Sequence, residues 1–198
     1  MDEQGRPILS PLELTQVLTF YLSAEKAGAM PAALLSQFQN EEQSWEAFLE
    51  NKAGLAVTWS SRILGQRTDD ITISPIPTPS GEPFTLATGW VWALAGRDEG
   101  KRKLTVELAE FLCESHFLSI WTQAAGYLPT HPSSLDPESE DPLRQTIGKI
   151  ALSARLLPPT DVLSGLENPL QQAVLTVFKG QNDPALAAQA AAASLTGP

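Results

Sequence analysis

The stretch ATGWVWAL, residues 87–94, places two tryptophans two positions apart, directly after a glycine. Side chains alternate between the faces of a strand, so Trp90 and Trp92 would point to the same side. The stretch lies within FTLATGWVWALA, 84–95, the longest strand that the sequence predicts. Two large rings side by side on one face either fill a core or form a platform for a ligand.

The pattern around this stretch predicts an α/β chain that is rich in helices. A capping signal at Ser10, with Pro11 in the first helical position, starts a helix that stops at Gly28. Further helices are predicted at 41–52, 101–112, 115–125, 142–154, 160–179 and 184–195, and shorter strands at 55–59 and 70–74. The last of these helices is alanine-rich, and we expect it to dock on the rest of the chain. Five prolines and glycines within 75–83 predict an extended connector.

Composition and charge exclude several classes of protein. The chain has 198 residues, with 23 acidic and 13 basic side chains, and a net charge of -10. This balance argues against nucleic acid as a partner, because phosphates attract basic patches. No run of apolar residues approaches the length of a membrane span.

Candidates for catalysis are few. Cys113, His116 and His131 would be the members of a Cys-His arrangement. Cys113 lies in an apolar helical stripe, however, and we expect it to be buried and inert. The two histidines lack metal-ligand spacing, and the sequence has no phosphate-binding glycine loop. The sequence therefore predicts no catalytic residue, no metal site and no cofactor.

The order of motifs resembles family 1 extracellular solute-binding proteins, the ligand-capturing subunits of ABC importers, which include the maltose-binding and other sugar-binding proteins. Four segments carry the resemblance: AFLENKAGLAVTW at 47–59, a Pro-rich connector with Ile76-Pro77 and Gly81, Gly89-Trp90, and a helix pair that ends in GYLP at 126–129. It covers essentially the whole chain. Threonine (Thr88) stands where the family often has the first glycine of its GGW motif.

The resemblance implies a fold and a division of the chain. The fold would be part of a two-lobe, type II periplasmic-binding-protein fold that lacks its N-terminal half. Residues 1–74 would belong to the second lobe, 75–83 would be a hinge connector, 84–128 would belong to the first lobe, and 129–198 would cross back and supply the C-terminal helices of the second lobe. Hinges of this kind are short loops that absorb rotation between packed bodies.

The resemblance also implies a ligand site. The expected ligand-binding residues are Trp59, Ser60, Arg62, Gly89, Trp90 and Tyr127. Aromatic rings stack on the apolar faces of sugars, and polar groups bond the hydroxyls around the edge. For Trp90, a place in the cleft and a place in the core are equally expected. Trp92, Trp45 and Trp121 are expected in the core.

The expected function is therefore non-enzymatic: a substrate-binding component of an ABC-type importer that binds a carbohydrate by cleft closure. The implied partners are a small-molecule ligand, the membrane permease and the missing N-terminal half. The implied location is extracellular or periplasmic, with or without an anchor in a leader absent from this chain. Two alternatives stay open: a helical protein-interaction module, and a hydrolase that uses His116 or His131. The sequence does not identify the ligand.

Overall fold

The computed structural model describes residues 6–65, 70–96, 98–135 and 140–195. Within these ranges the protein is rich in helices and has a small sheet. The helices are α1 Pro11–Lys26, α2 Leu34–Gln37, α3 Glu41–Leu49, α4 Ser60–Gly65, α5 Glu99–Leu112, α6 Ser115–Ala125, α7 Pro142–Leu152, α8 Thr160–Phe178 and α9 Pro184–Leu195, with a 3-10 turn at Pro132–Ser134. The strands are β1 Thr85–Ala87 and β2 Ala154–Leu156.

Capping side chains set most of the helix starts, including the one predicted at Ser10. The Ser10 hydroxyl accepts a hydrogen bond from the Glu13 amide at 3.4 Å, and the Asn40 side chain accepts one from the Gln43 amide at 3.0 Å. The Asp183 carboxylate accepts bonds from the first-turn amides of α9. These bonds satisfy amides that have no partner inside the helix.

The chain divides into two compact units. The first unit comprises residues 1–54 and 158–198, and the second comprises 55–157. The lobe boundaries expected from the resemblance stay a prediction, and residues 136–139 of the expected return crossing lie outside the described ranges.

The first unit is built on the packing of α1, α8 and α9. Leu18 of α1 and Val177 of α8 are almost fully buried there, beside the alanines of α9. The small alanine side chains let α9 approach its neighbours closely. The prediction that the alanine-rich helix docks is therefore confirmed, with Ala187, Ala188 and Ala191 in this core.

The second unit contains the sheet, which has only two described strands. β1 and β2 pair in parallel, with Leu86 opposite Arg155, and β1 also contacts α7. Residues 55–59 and 71–74 form no strand, and the predicted strand at 84–95 shortens to Thr85–Ala87. A strand exists only where a neighbour supplies ladder hydrogen bonds, and an apolar run alone does not provide that neighbour.

Candidate functional site

Three of the six expected ligand-binding residues lie at the start of a short helix, α4. Trp59 immediately precedes the helix, and Ser60 and Arg62 lie in its first turn. The Arg62 amide donates to the Trp59 carbonyl at 3.0 Å, which closes this turn. Ile63 is buried on the inner side of α4, whereas Trp59 is exposed. The helix thus holds the indole ring at the surface of the second unit.

The far end of α4 meets the end of α6. Gly126 ends α6 in a left-handed conformation, with φ of 72°. A Cβ on Gly126 would lie 3.5 Å from the amide nitrogen of Gly65, the last residue of α4. Tyr127 follows directly and is exposed, with its amide bonded to the Thr122 carbonyl at 2.9 Å. The structure therefore places the start of the Tyr127 loop beside the last residue of α4, the helix that Trp59 precedes.

The start of α7 contributes to a small cavity against α4. The cavity has a volume of about 40 Å³ and is lined by Ile63, Leu64, Asp141, Leu143 and Arg144. The Asp141 carboxylate caps α7 by accepting from the Leu143 amide at 3.0 Å. A space of this size accommodates a few water molecules at most and is too small for a sugar.

Gly89 and Trp90 lie just beyond the end of β1, apart from the α4 residues in sequence. Trp90 is 82% exposed, so its ring is not a core residue. A Cβ on Gly89 would have no atom within 4 Å, which leaves space for another molecule to approach the backbone there. No described contact joins Trp90 to Trp59 or Tyr127, and their meeting at one ligand stays a prediction.

Two of the core assignments of tryptophan are wrong. Trp92 is 58% exposed and Trp121 is 43% exposed, although both were expected in the core. Trp92 lies past the three residues that pair with β2, where no described strand covers it. Helical spacing placed Trp121 on the apolar face of α6 but gave no information about what covers that face. The third assignment is confirmed, because Trp45 is 4% exposed and its ring stacks on Phe48 at 5.3 Å.

The cysteine and histidine residues belong to a structural joint between α5, α6 and the 3-10 turn. Cys113 ends α5 and is exposed, so the expectation that it is buried is wrong. Glu114 caps α6, and the backbone amides of Phe117 and His116 lower the pKa of its carboxyl group. The nearby imidazoles of His116 and His131 lower that pKa further.

Serine hydroxyls complete this joint. Ser134 donates to the Ser115 carbonyl at 2.9 Å, and the Ser115 and Ser134 hydroxyl oxygens are 2.6 Å apart. The carboxylate nearest these histidines that the structure describes as influencing them electrostatically, Glu114, is exposed and caps α6. A hydrolase would need a histidine and a carboxylate paired in a cleft, and this joint does not provide that arrangement. Sequence reasoning missed the joint because Ser115 and Ser134 are 19 positions apart in the chain.

A larger groove lies in the first unit between α8 and α9. Its volume is about 400 Å³, and its lining includes Gly165, Asn168, Pro169, Gln172 and Ala190. Pro169 lies inside α8 and has no N–H, so the Gly165 carbonyl lacks its usual helical donor. None of the expected ligand-binding residues lines this groove or the cavity beside α4.

The described part of the chain has neither a metal-ligand cluster nor a membrane-spanning helix. Its His, Cys, Asp and Glu residues form no group of three or more that could hold a metal ion. None of its helices combines the length and the apolar character needed to cross a bilayer.

Comparison with known proteins identifies the family. Residues 3–146 match the family described as bacterial extracellular solute-binding protein. The match covers more than half of the chain, and the protein belongs to this family. Among curated proteins, none matches the sequence.

Family membership supports the coarser predictions made from the sequence. Members act as extracellular solute-binding components of ABC transporters, with a small-molecule ligand and a permease as partners. The family is generally non-enzymatic, and its members lie outside the cytoplasmic membrane.

Proposed function

We propose that this protein captures a carbohydrate for an ABC importer, with Trp59, Trp90 and Tyr127 as the aromatic residues that contact it. The observation that carries the proposal is the exposure of all three rings in a chain of the solute-binding family. A sugar presents apolar C–H faces and a rim of hydroxyls. Indole and phenol rings offer a flat apolar surface that can stack on the C–H faces, and a polar group that can bond the hydroxyls.

The position of α4 supports the same proposal for the polar contacts. Ser60 and Arg62 lie one and three residues after Trp59, so hydrogen-bond donors are within one helical turn of an exposed ring. Gly65, at the other end of α4, lies against Gly126. This contact fixes the position of the backbone from which Tyr127 extends. Ring and donors together would let one short helix contact both the face and the edge of a sugar.

The resemblance to family 1 proteins adds a mechanism to this proposal. Ligand would select a closed arrangement of two lobes, and the closed form would be presented to the permease. In this proposal the connector at 75–83 acts as a hinge, and the chain corresponds to the C-terminal half of a type II binding protein. The hinge role, the half-chain assignment and the carbohydrate class all derive from the resemblance.

A thermal-shift screen tests the ligand class. The 198-residue chain is melted with separate panels of sugars, polyols, peptides and phosphodiesters at millimolar concentration. A ligand that binds only the native state raises the Tm in accordance with RT ln(1 + [L]/Kd), so a shift confined to sugars is expected. A shift with peptides alone would contradict the carbohydrate assignment.

Substitutions then test the site with whichever sugar binds. Trp90→Ala and Trp59→Ala should each weaken affinity by more than about 1 kcal/mol, as truncation of a central aromatic contact does. Trp92→Ala is the matched control, since it removes an exposed indole only two residues from Trp90. Equal losses of affinity for the Trp90 and Trp92 variants would count against the proposed site.

A further inference from the structure

The Tyr127 loop, residues 127–131, is tied to both ends of α6. It leaves the last turn of α6 and leads into the 3-10 turn Pro132–Ser134, which contacts the same helix. There the Ser134 hydroxyl donates to the carbonyl of Ser115, the first residue of α6, at 2.9 Å. The hydroxyl oxygens of the two serines are 2.6 Å apart, and Ser134 is half-buried. The far end of the loop is therefore anchored to the start of the helix.

The anchor differs in range from the capping bonds described above. Those bonds join residues at most three positions apart. The hydroxyl of Ser115 meets those of Ser133 and Ser134, which are 18 and 19 positions further along the chain. A cap stabilises the end of its own helix, whereas a bond across 19 positions closes the intervening chain into a loop of defined path.

The length of the returning segment explains why an anchor matters. α6 has 11 residues and is therefore about 16 Å long, at 1.5 Å per residue. The eight residues from Tyr127 to Ser134 could span up to about 28 Å if they were extended. Because the segment is longer than the helix beside which it returns, its far end would have many arrangements if it were free. The bond between Ser134 and Ser115 selects one of them.

We propose that Ser134 is a positioning residue for Tyr127, which it keeps in an ordered loop before a sugar binds. This inference rests on the proposed function of Tyr127 as a sugar contact. The loop is fixed at its start by the Tyr127 amide, which donates to the Thr122 carbonyl at 2.9 Å, and at its end by Ser134. Leu128 and Pro129, between these two points, are half-buried. A loop that is ordered in advance spares the ligand the entropic cost of ordering it.

Amide hydrogen exchange of the 198-residue chain, followed by NMR, tests the anchor without any ligand. Ser134→Ala removes the hydroxyl and should speed exchange of the Tyr127 amide by at least about tenfold, because the loop then opens locally. Ser134→Thr keeps a hydroxyl and should restore slow exchange. Ser153→Ala is the matched control, since Ser153 is also half-buried and donates to a carbonyl, that of Ile150 at 2.7 Å, but only within its own turn. Exchange at Tyr127 that is the same in Ser134→Ala and wild type would overturn the proposal.

A double-mutant cycle tests whether Ser134 acts through Tyr127. The probe is the sugar that gives the largest Tm shift in the panel described above. Ser134→Ala should weaken its affinity roughly threefold to tenfold, whereas Ser153→Ala should leave the affinity unchanged. In a Tyr127→Ala background, Ser134→Ala should have no further effect, because the ring that it positions is gone. Equal losses in both backgrounds would show that Ser134 acts on the fold in general, and the proposal would be wrong.

The two experiments distinguish a failure of this inference from a failure of the proposed function. If no sugar in the panel raises the Tm, the carbohydrate assignment fails, and hydrogen exchange alone still decides whether Ser134 orders the loop. If a sugar binds but exchange at Tyr127 does not depend on Ser134, the carbohydrate assignment stands and the positioning role of Ser134 is refuted.

Discussion

Gly126 lies against the backbone of Gly65, so that the end of α6 rests on the end of α4. Two chain segments that are about sixty positions apart in sequence thereby meet without an intervening side chain. The contact fixes the start of the loop that carries Tyr127 relative to the helix that follows Trp59. Both the stability of the second unit and the geometry of the proposed site therefore depend on Gly126.

Substitution of Gly126 should be costly because of its backbone conformation. Gly126→Ala should reduce the free energy of unfolding by about 1 kcal/mol, since an L residue at φ of 72° is strained. The added methyl group itself would make an ordinary contact at 3.5 Å. Urea denaturation measures the change. Gly54→Ala is the control, because Gly54 has an ordinary φ and open space around it, and a loss as large at Gly54 would refute this explanation.

Truncation of Leu18 should reduce the free energy of unfolding more than truncation of any other side chain of the first unit. Leu18→Ala leaves a cavity among α1, α8 and α9, and we expect a loss of about 2–5 kcal/mol in the free energy of unfolding. Leu12→Ala removes the same atoms from an exposed position of the same helix and should cost less than about 0.5 kcal/mol. Similar losses for the two variants, measured by chemical denaturation, would show that α1 is not packed as described.

The pH dependence of stability should contain a contribution from Glu114. Its carboxyl group has a pKa below the ordinary 4.5, because the Phe117 and His116 amides bond the ionised form and the two histidines favour it. A depressed folded-state pKa stabilises the protein above the unfolded pKa, and this contribution is lost as the pH falls through the folded value. Glu114→Gln should therefore lower stability at pH 7, and the difference from wild type should shrink as the pH falls below 4.5.

Denaturation at a series of pH values checks this prediction. Glu110→Gln serves as the control, since it removes the same charge from α5 without altering the cap of α6. A difference between Glu114→Gln and wild type that does not change between pH 7 and pH 3 would contradict the role of the ionised carboxylate.

Pro169 should be a position where stability can be gained. Proline in a helix interior removes a hydrogen bond and crowds the preceding turn, at a cost of about 3 kcal/mol. Pro169→Ala restores a donor for the Gly165 carbonyl, and we expect a higher Tm despite the greater freedom of the unfolded chain. A lower Tm would mean that the surroundings of α8 are adapted to the proline.

Local signals account for the part of the fold that the sequence predicted well. Ser10 caps α1 as predicted, and the predicted starts at 41 and 184 follow the capping residues Asn40 and Asp183, because capping acts within a few residues. The strands at 55–59 and 70–74 were wrong for the opposite reason, since a ladder depends on a partner far along the chain. β1 finds its partner at Ala154–Leu156. The sequence pattern had placed Ala154 at the end of a helix and the next two residues in no element.

The candidate site shows the same division between local and distant information. Periodicity placed Trp92 and Trp121 on apolar faces, but burial depends on what the rest of the chain lays over those faces. α4 was missed because SSRILG has only six residues, although Ser60 and the closing Gly65 resemble helix boundaries. The contact between Gly65 and Gly126 had no signal in the sequence beyond the two glycines themselves.

The packing of α1 against α9 also has a consequence for the order of events during synthesis. α1 leaves the ribosome before its partners α8 and α9, which begin only at Thr160 and Pro184. At about 5–20 residues per second, α1 waits on the order of ten seconds with its apolar side uncovered. During this interval the second unit, which is continuous in sequence, can fold first, and the nascent first unit is the segment that most needs protection by a chaperone.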